Sequence, residues 1–156
     1  MELFHRKRFS VAIVMAALLA LSGLTVQPAA AADFGTKAIG DAVVATIVNR
    51  ENHNCLDSDY NGNVYLNPCG ARNYFQHWQA VGHTLVNVQT GRCLDSNNAG
   101  DVYTLICNNG EYQQWGGGGE HVVGNRKTLL AVTALDEHGV HAYAPIGLES
   151  QLWTRT

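Results

Sequence analysis

A repeat of about 38 residues runs through this chain, and three copies of a unit that size leave few folds open. Cys55 and Cys93 stand 38 positions apart, and Ala131 lies 38 further on. Val64, Val102 and Val140 keep the same interval. The segments IVNRENHNC, LVNVQTGRC and VVGNRKTLLA each set an apolar pair ahead of a polar turn. Every copy closes on Gln-x-Trp, at Gln76 and Trp78, Gln113 and Trp115, and Gln151 and Trp153. The units run over about 46–83, 84–121 and 122–156.

Within a unit the pattern is strand and turn. LVNV is a β-branched run, QTG a turn, RCLD a second strand, SNNAGD a turn and VYTLIC a third strand. NNGE turns the chain again, YQQW is the predicted last strand, and GGGG at 116–119 is a predicted surface connection. No segment keeps a 3.6-residue apolar period, so almost no regular helix is expected. Three units are too few for a propeller, and no polar caps mark a solenoid. Three four-stranded units closed about a pseudo-threefold axis leave no free sheet edge. The expected fold is therefore an all-β trefoil with the three tryptophans in one core.

The N-terminus reads differently. MELFHRKRFS carries Arg6, Lys7 and Arg8, an apolar run VAIVMAALLALSGLTV follows, and VQPAAAADFG offers small residues for cleavage. That is the layout of a secretory signal peptide over 1–32, with a lead-in over 33–45. Its removal takes away Glu2 and three basic residues and moves the formal charge from −3 to −5. An acidic surface without basic clusters argues against nucleic acid or an anionic membrane as partner. All four cysteines fall after the leader, and an even count in an exported chain points to disulfides. Three pairings are possible; the equal spacing of 14 favours Cys55 with Cys69 and Cys93 with Cys107. A four-cysteine metal site would need CxxC spacing, which is absent, and no cofactor is expected.

The unit with CLD, a Val-containing strand, a second Cys and a closing Gln-x-Trp resembles the ricin-B-type lectins, or family 13 carbohydrate-binding modules. The resemblance covers about Thr46 to Thr156. LDSNNAGDVYTL and NNGEYQQW in the second unit, with LDSDYNGNVY in the first, resemble more narrowly the actinohivin-like lectins, which bind α-linked mannose. A shallow sugar site needs a carboxylate to accept from neighbouring hydroxyls, an amide that donates and accepts, and an aromatic ring for the C–H face. The second unit supplies Asp95, Asn108, Tyr103 and Tyr112. By resemblance these line the pocket, with Leu105 in its wall. Each also has a plainer reading, Asp95 and Asn108 as turn formers and Tyr103 as a strand residue. Gln113 and Trp115 recur in all units and read as scaffold.

The copies are unequal. The first keeps Asp57, Tyr65 and Tyr74, but Asn67 stands where the second has Leu105 and Gly70 where it has Asn108, so its amide must come from Asn67 or Asn73 or be missing. In the third, Thr133 replaces Asp, His141 replaces Tyr and Ile146 replaces Asn, while Asp136 sits late in a turn. That pocket is expected to be dead for sugar. There is no HExxH, no GxSxG and no facing carboxylate pair of the glycosidase kind, so no enzyme is expected. What the resemblance implies is a secreted, extracellular lectin for mannose-type or related glycans, with one or two shallow pockets, each of about millimolar affinity. The alternative is a protein-binding trefoil, such as a protease inhibitor, that has lost sugar binding.

Overall fold

The structure is a computed structural model that describes residues 43–117, 121–136 and 138–156. The expected signal peptide and all but the last three residues of the lead-in lie outside the described residues. Among the described residues twelve strands form three groups of four. The first unit holds β1 (Val44–Asn49), β2 (Cys55–Ser58), β3 (Val64–Asn67) and β4 (His77–Val81). The second holds β5 (Thr84–Asn87), β6 (Cys93–Ser96), β7 (Val102–Leu105) and β8 (Trp115–Gly116). The third holds β9 (Gly124–Asn125), β10 (Ala131–Ala134), β11 (Val140–Tyr143) and β12 (Trp153–Arg155). A 3₁₀ turn precedes each closing strand, at Tyr74–Gln76, Glu111–Gln113 and Glu149–Gln151.

The last strand of each unit pairs with the first strand of the next, and the ring closes. Trp78 faces Asn87, Trp115 faces Asn125, and Trp153 faces Asn49 across their ladders. The remaining seams are made by β1 on β4, by the Trp115 N–H on the His83 carbonyl, and by the Val122–Leu152 bridge. Among the described residues every one of the twelve strands has a ladder partner, which protects their edges. The β2–β3, β6–β7 and β10–β11 hairpins meet at one end in a cyclic relay. The Gly62 carbonyl accepts from Thr104 N at 2.8 Å, that of Gly100 from Ala142 N at 2.7 Å, and that of His138 from Leu66 N at 2.9 Å. Gly62 and Gly100 have φ of +97° and +94°, and a Cβ would sit 2.7 Å from the Thr104 oxygen at the first and collide with the Ala142 oxygen at the second. This is the trefoil.

The three tryptophans are buried among Ile47, Leu56, Leu66, Leu85, Leu94 and Val132. Each indole N–H donates at 2.9 Å to a carbonyl of its own unit, on Leu56, Leu94 and Val132. Their apolar rings are thereby buried without orphaning the N–H. Both disulfides form as the spacing predicts, Cys55 to Cys69 and Cys93 to Cys107.

Three expectations need correction. β1 starts at Val44, inside the expected lead-in, because residues 44–46 are needed to pair β4. YQQW is not one strand: Tyr112 and Gln113 lie in a 3₁₀ turn, which lets the Gln113 side chain reach inward, and extended pairing begins at Trp115. Gly116 is not surface connection but a buried member of β8 paired with Gly124.

Gly100→Ala is expected to cost about 2–4 kcal/mol through strain and collision with the relay. The C93A/C107A pair should cost about 3 kcal/mol, the loop-closure value for 15 residues. Urea unfolding of each purified variant measures both.

Candidate functional site

The antiparallel register of the β6–β7 hairpin sets Asp95 opposite Tyr103, and that of β2–β3 sets Asp57 opposite Tyr65. In the third hairpin the same positions hold Thr133 and His141. Cross-strand neighbours have Cβ atoms about 5 Å apart, so each hairpin brings its two sequence-predicted side chains together. The Cys93–Cys107 bridge ties the strand of Asp95 to the loop that begins with Asn108.

Beneath each hairpin lies the buried glutamine of Gln-x-Trp. Gln113 Nε2 donates to Asp95 Oδ2 at 2.9 Å and to the Ile106 carbonyl at 3.1 Å, while its Oε1 accepts from Asn108 N at 2.9 Å. Gln76 does the same with Asp57 Oδ2 at 3.0 Å, the Pro68 carbonyl at 3.1 Å and Gly70 N at 2.9 Å. Gln151 holds Thr133 Oγ1, the Ala144 carbonyl and Ile146 N. One amide thus holds Asp57, Asp95 or Thr133 in its unit together with the loop that follows the third strand.

Asp95 is 4% exposed and Asp57 2%, and they differ in how fully they are bonded. Among the described residues Asp95 accepts two hydrogen bonds, from Ser96 N at 2.8 Å and from Gln113. An ionised carboxylate has about four acceptor positions, so about half its capacity is unused. Asp57 accepts four: Ser58 N at 2.8 Å, Asn67 Nδ2 at 3.2 Å, Asn73 Nδ2 at 2.9 Å, and Gln76. Both amides named from the sequence as candidates in the first unit therefore turn onto its own carboxylate.

The Tyr103 hydroxyl donates to the Ser96 carbonyl at 3.1 Å, and its ring is half-buried. Burial, then the charges of Asp95 and Asp101 and the neighbouring Tyr112, hold its phenol above the usual value near 10. Tyr65 behaves alike, raised by burial and by Asp57 and Asp59. Asn108 is exposed; its Oδ1 accepts from Gly110 N at 2.7 Å, and its Nδ2 has no partner among the described residues. Leu105 is 42% exposed at the end of β7. Asp95 thus faces Tyr103 across the hairpin and is joined to Asn108 N through Gln113, Tyr112 acts on the Tyr103 phenol, and Leu105 lies across the ladder from Cys93.

Tyr74 is not the first unit's counterpart of Tyr112. The 3₁₀ turns align Gln76 with Gln113, which puts Phe75, not Tyr74, in the place of Tyr112. The cyclic bonds agree: Asn87 Nδ2 donates to the Phe75 carbonyl and Asn125 Nδ2 to that of Tyr112, each at 2.6 Å. The extra residue in CGARNYFQ shifts Tyr74 outward, where it packs edge-on against His77. In the third unit Thr133 is spent on the Ala131 carbonyl and Gln151, and Asp136 on the amides of its own turn. His141 packs on Tyr143, with ring centres 4.6 Å apart.

The sequence reading passed over Asn49, Asn87 and Asn125. All are fully buried. Each side chain accepts two amides of its own turn and donates to the 3₁₀ turn of the preceding unit. The signal was present as a third 38-residue interval, inside segments read only as apolar pairs before turns.

Residues 43–115 match the sequence profile of the ricin-type beta-trefoil lectin domain, a span that takes in the first two units. Among solved structures the chain is similar to ThreeFoil, a designed threefold-symmetric protein, at 24% identity and a TM-score of 0.62, over 72% of this chain and 96% of that one. It is similar to a non-toxic homologue of type II RIPs from Momordica charantia (bitter gourd), solved with α-methyl-D-galactoside, at 20% identity and a TM-score of 0.63, over 74% of this chain and 48% of that one. The agglutinin of Abrus precatorius gives 17% identity and a TM-score of 0.65, over 74% and 47%. The chain spans about half of the last two. No curated protein sequence matches. At these identities the structural likeness establishes the trefoil fold.

The raised phenols bear on alkaline stability. An unfolded tyrosine ionises near pH 10, the folded ones higher, so their stabilisation is complete below pH 10 and is lost as pH rises through the folded values. Tyr103→Phe should flatten part of that fall in urea melts taken between pH 9 and pH 11 or so. Asp95→Asn should lower the Tyr103 titration, followed by ultraviolet difference spectra, yet leave it above the usual value, because burial is the larger cause.

Proposed function

We propose that this protein is a secreted, non-catalytic lectin of the ricin-B type whose second-unit pocket takes mannose-type or related glycans. The observation that carries the reading is the under-bonded Asp95 carboxylate. Leaving acceptor positions of a buried carboxylate unused is costly unless something else fills them. Adjacent sugar hydroxyls suit that need, since one carboxylate accepts from two of them in charge-assisted bonds. Tyr103 and Tyr112 offer ring surface for the C–H face of the sugar, and Asn108 Nδ2 offers a donor at the rim. Leu105 walls the outer side. The profile match over the first two units and the galactoside in the bitter gourd structure support sugar as the ligand class. The paired disulfides suit an oxidising compartment, in line with export.

A single shallow pocket of this kind binds a monosaccharide at about millimolar affinity, or roughly 4 kcal/mol. A glycan array probed with the oxidised mature protein tests the reading. Binding to α-mannosides is expected, with Asp95→Ala weakening it at least about tenfold, the value of one charge-assisted bond. Galactoside binding without mannoside binding would keep the lectin and reject the mannose class. No glycan binding, or an unaffected Asp95→Ala, would reject the lectin.

A further inference from the structure

The first two hairpins share a register, a disulfide and a buried glutamine, yet their carboxylates end in opposite states. Resting on the reading of Asp95 as the sugar acceptor, we infer that the first-unit pocket is held shut by the protein's own side chains, so that of the first two units only the second takes sugar. Asn67 and Asn73 donate to Asp57 Oδ2 at 3.2 Å and 2.9 Å, alongside Gln76, and Ser58 N takes Oδ1. Three donors thus crowd Oδ2, more than its two lone pairs accommodate, while Oδ1 accepts only Ser58 N. The two amides stand where the hydroxyls of a ligand would donate.

The second unit shows what an open pocket has at these places. Across from Cys93 in the β6–β7 ladder is Leu105, where Asn67 faces Cys55. Ahead of the 3₁₀ turn is Gly110, where the first unit has Asn73. Neither Leu105 nor Gly110 carries a side-chain donor, and Asp95 keeps its free positions. The aromatic position differs in the same sense. Phe75 has the ring of Tyr60 edge-on at 5.3 Å, and Gln89 Nε2 holds the Tyr60 hydroxyl at 2.8 Å. Position 98, the counterpart of Tyr60, is an asparagine. A sugar hydroxyl that bonds Oδ2 must displace an intramolecular amide and gains only an equivalent bond in return, so no net hydrogen bonding is won at that oxygen. Asn73 is anchored by its own turn as well, since its Oδ1 accepts from Phe75 N.

The test reads both pockets in one experiment. Ser58 N and Ser96 N each donate to the Oδ1 of their aspartate, so their backbone resonances report each site in ¹⁵N-labelled, oxidised protein. Methyl α-mannoside and methyl α-galactoside are titrated separately. In the unsubstituted protein Ser96 is expected to shift saturably while Ser58 stays still. In N67L/N73G, which installs the residues of the second unit, Ser58 is expected to shift as well, with an affinity within about tenfold of Ser96. N67L alone, and N73S, which retains a turn-capping oxygen, serve if the double variant does not fold.

A saturable Ser58 shift in the unsubstituted protein overturns the inference and leaves the functional reading standing. A silent Ser58 in every folded variant, with Ser96 responding, also overturns only the inference. Silence at Ser96 with both probes overturns the functional reading, and the inference falls with it.

Discussion

The structure rests on a glutamine amide placed where no water reaches. Gln76, Gln113 and Gln151 are each buried, and each satisfies a carbonyl, a backbone N–H and one side-chain oxygen. The segment between the third strand and the 3₁₀ turn has no ladder partner for these groups, and leaving them unpaired would cost about 1–3 kcal/mol apiece. The neighbouring tryptophan, two residues on, anchors the same turn by burying its ring and bonding a strand carbonyl. The third contact of each glutamine falls on Asp57, Asp95 or Thr133, the residue that each hairpin sets opposite Tyr65, Tyr103 or His141. Scaffold and site are thus joined by one side chain, which explains why Asp95 can be held nearly buried and still remain under-bonded.

Repetition of that device three times lets the pockets diverge without cost to the fold. The glutamine donates to an aspartate in two units and to Thr133 in the third, and the order of strands and 3₁₀ turn is the same in all. The cyclic asparagines and the hairpin relay are indifferent to what stands in the pocket. Even the hairpin turns tolerate exchange: Asp59 with Asn63 and Asn97 with Asp101 make the same side-chain bond with the charge on opposite members. Only the barrel seams and the buried amides must recur, and these are what the three copies share.

Much of the fold was legible because periodic features survive in the linear order. The interval of 38, the equal cysteine spacing and Gln-x-Trp each name a position that returns to the same place about a threefold axis. The candidate site was legible to the extent that it repeats: Asp95 and Tyr103 pair across a hairpin as their spacing implies. Tyr74 was misplaced because one inserted residue before the 3₁₀ turn changes which aromatic faces inward, and residue type alone cannot register that shift. The 3₁₀ turns themselves were read as strand, because three residues carry too short a pattern to separate the two.

By itself the sequence determined the closed all-β repeat, the disulfide pairs and the identity of the carboxylates, all of which follow from spacing and residue chemistry. Tertiary structure alone decided which carboxylate is bonded by two neighbouring asparagine amides and which is not. Asn67 and Asn73 read as possible sugar donors in the chain, and their amides instead point at Asp57. That outcome depends on hydrogen-bond distances of about 3 Å between residues 10 and 16 positions apart, a relation that only the folded hairpin and its turn create.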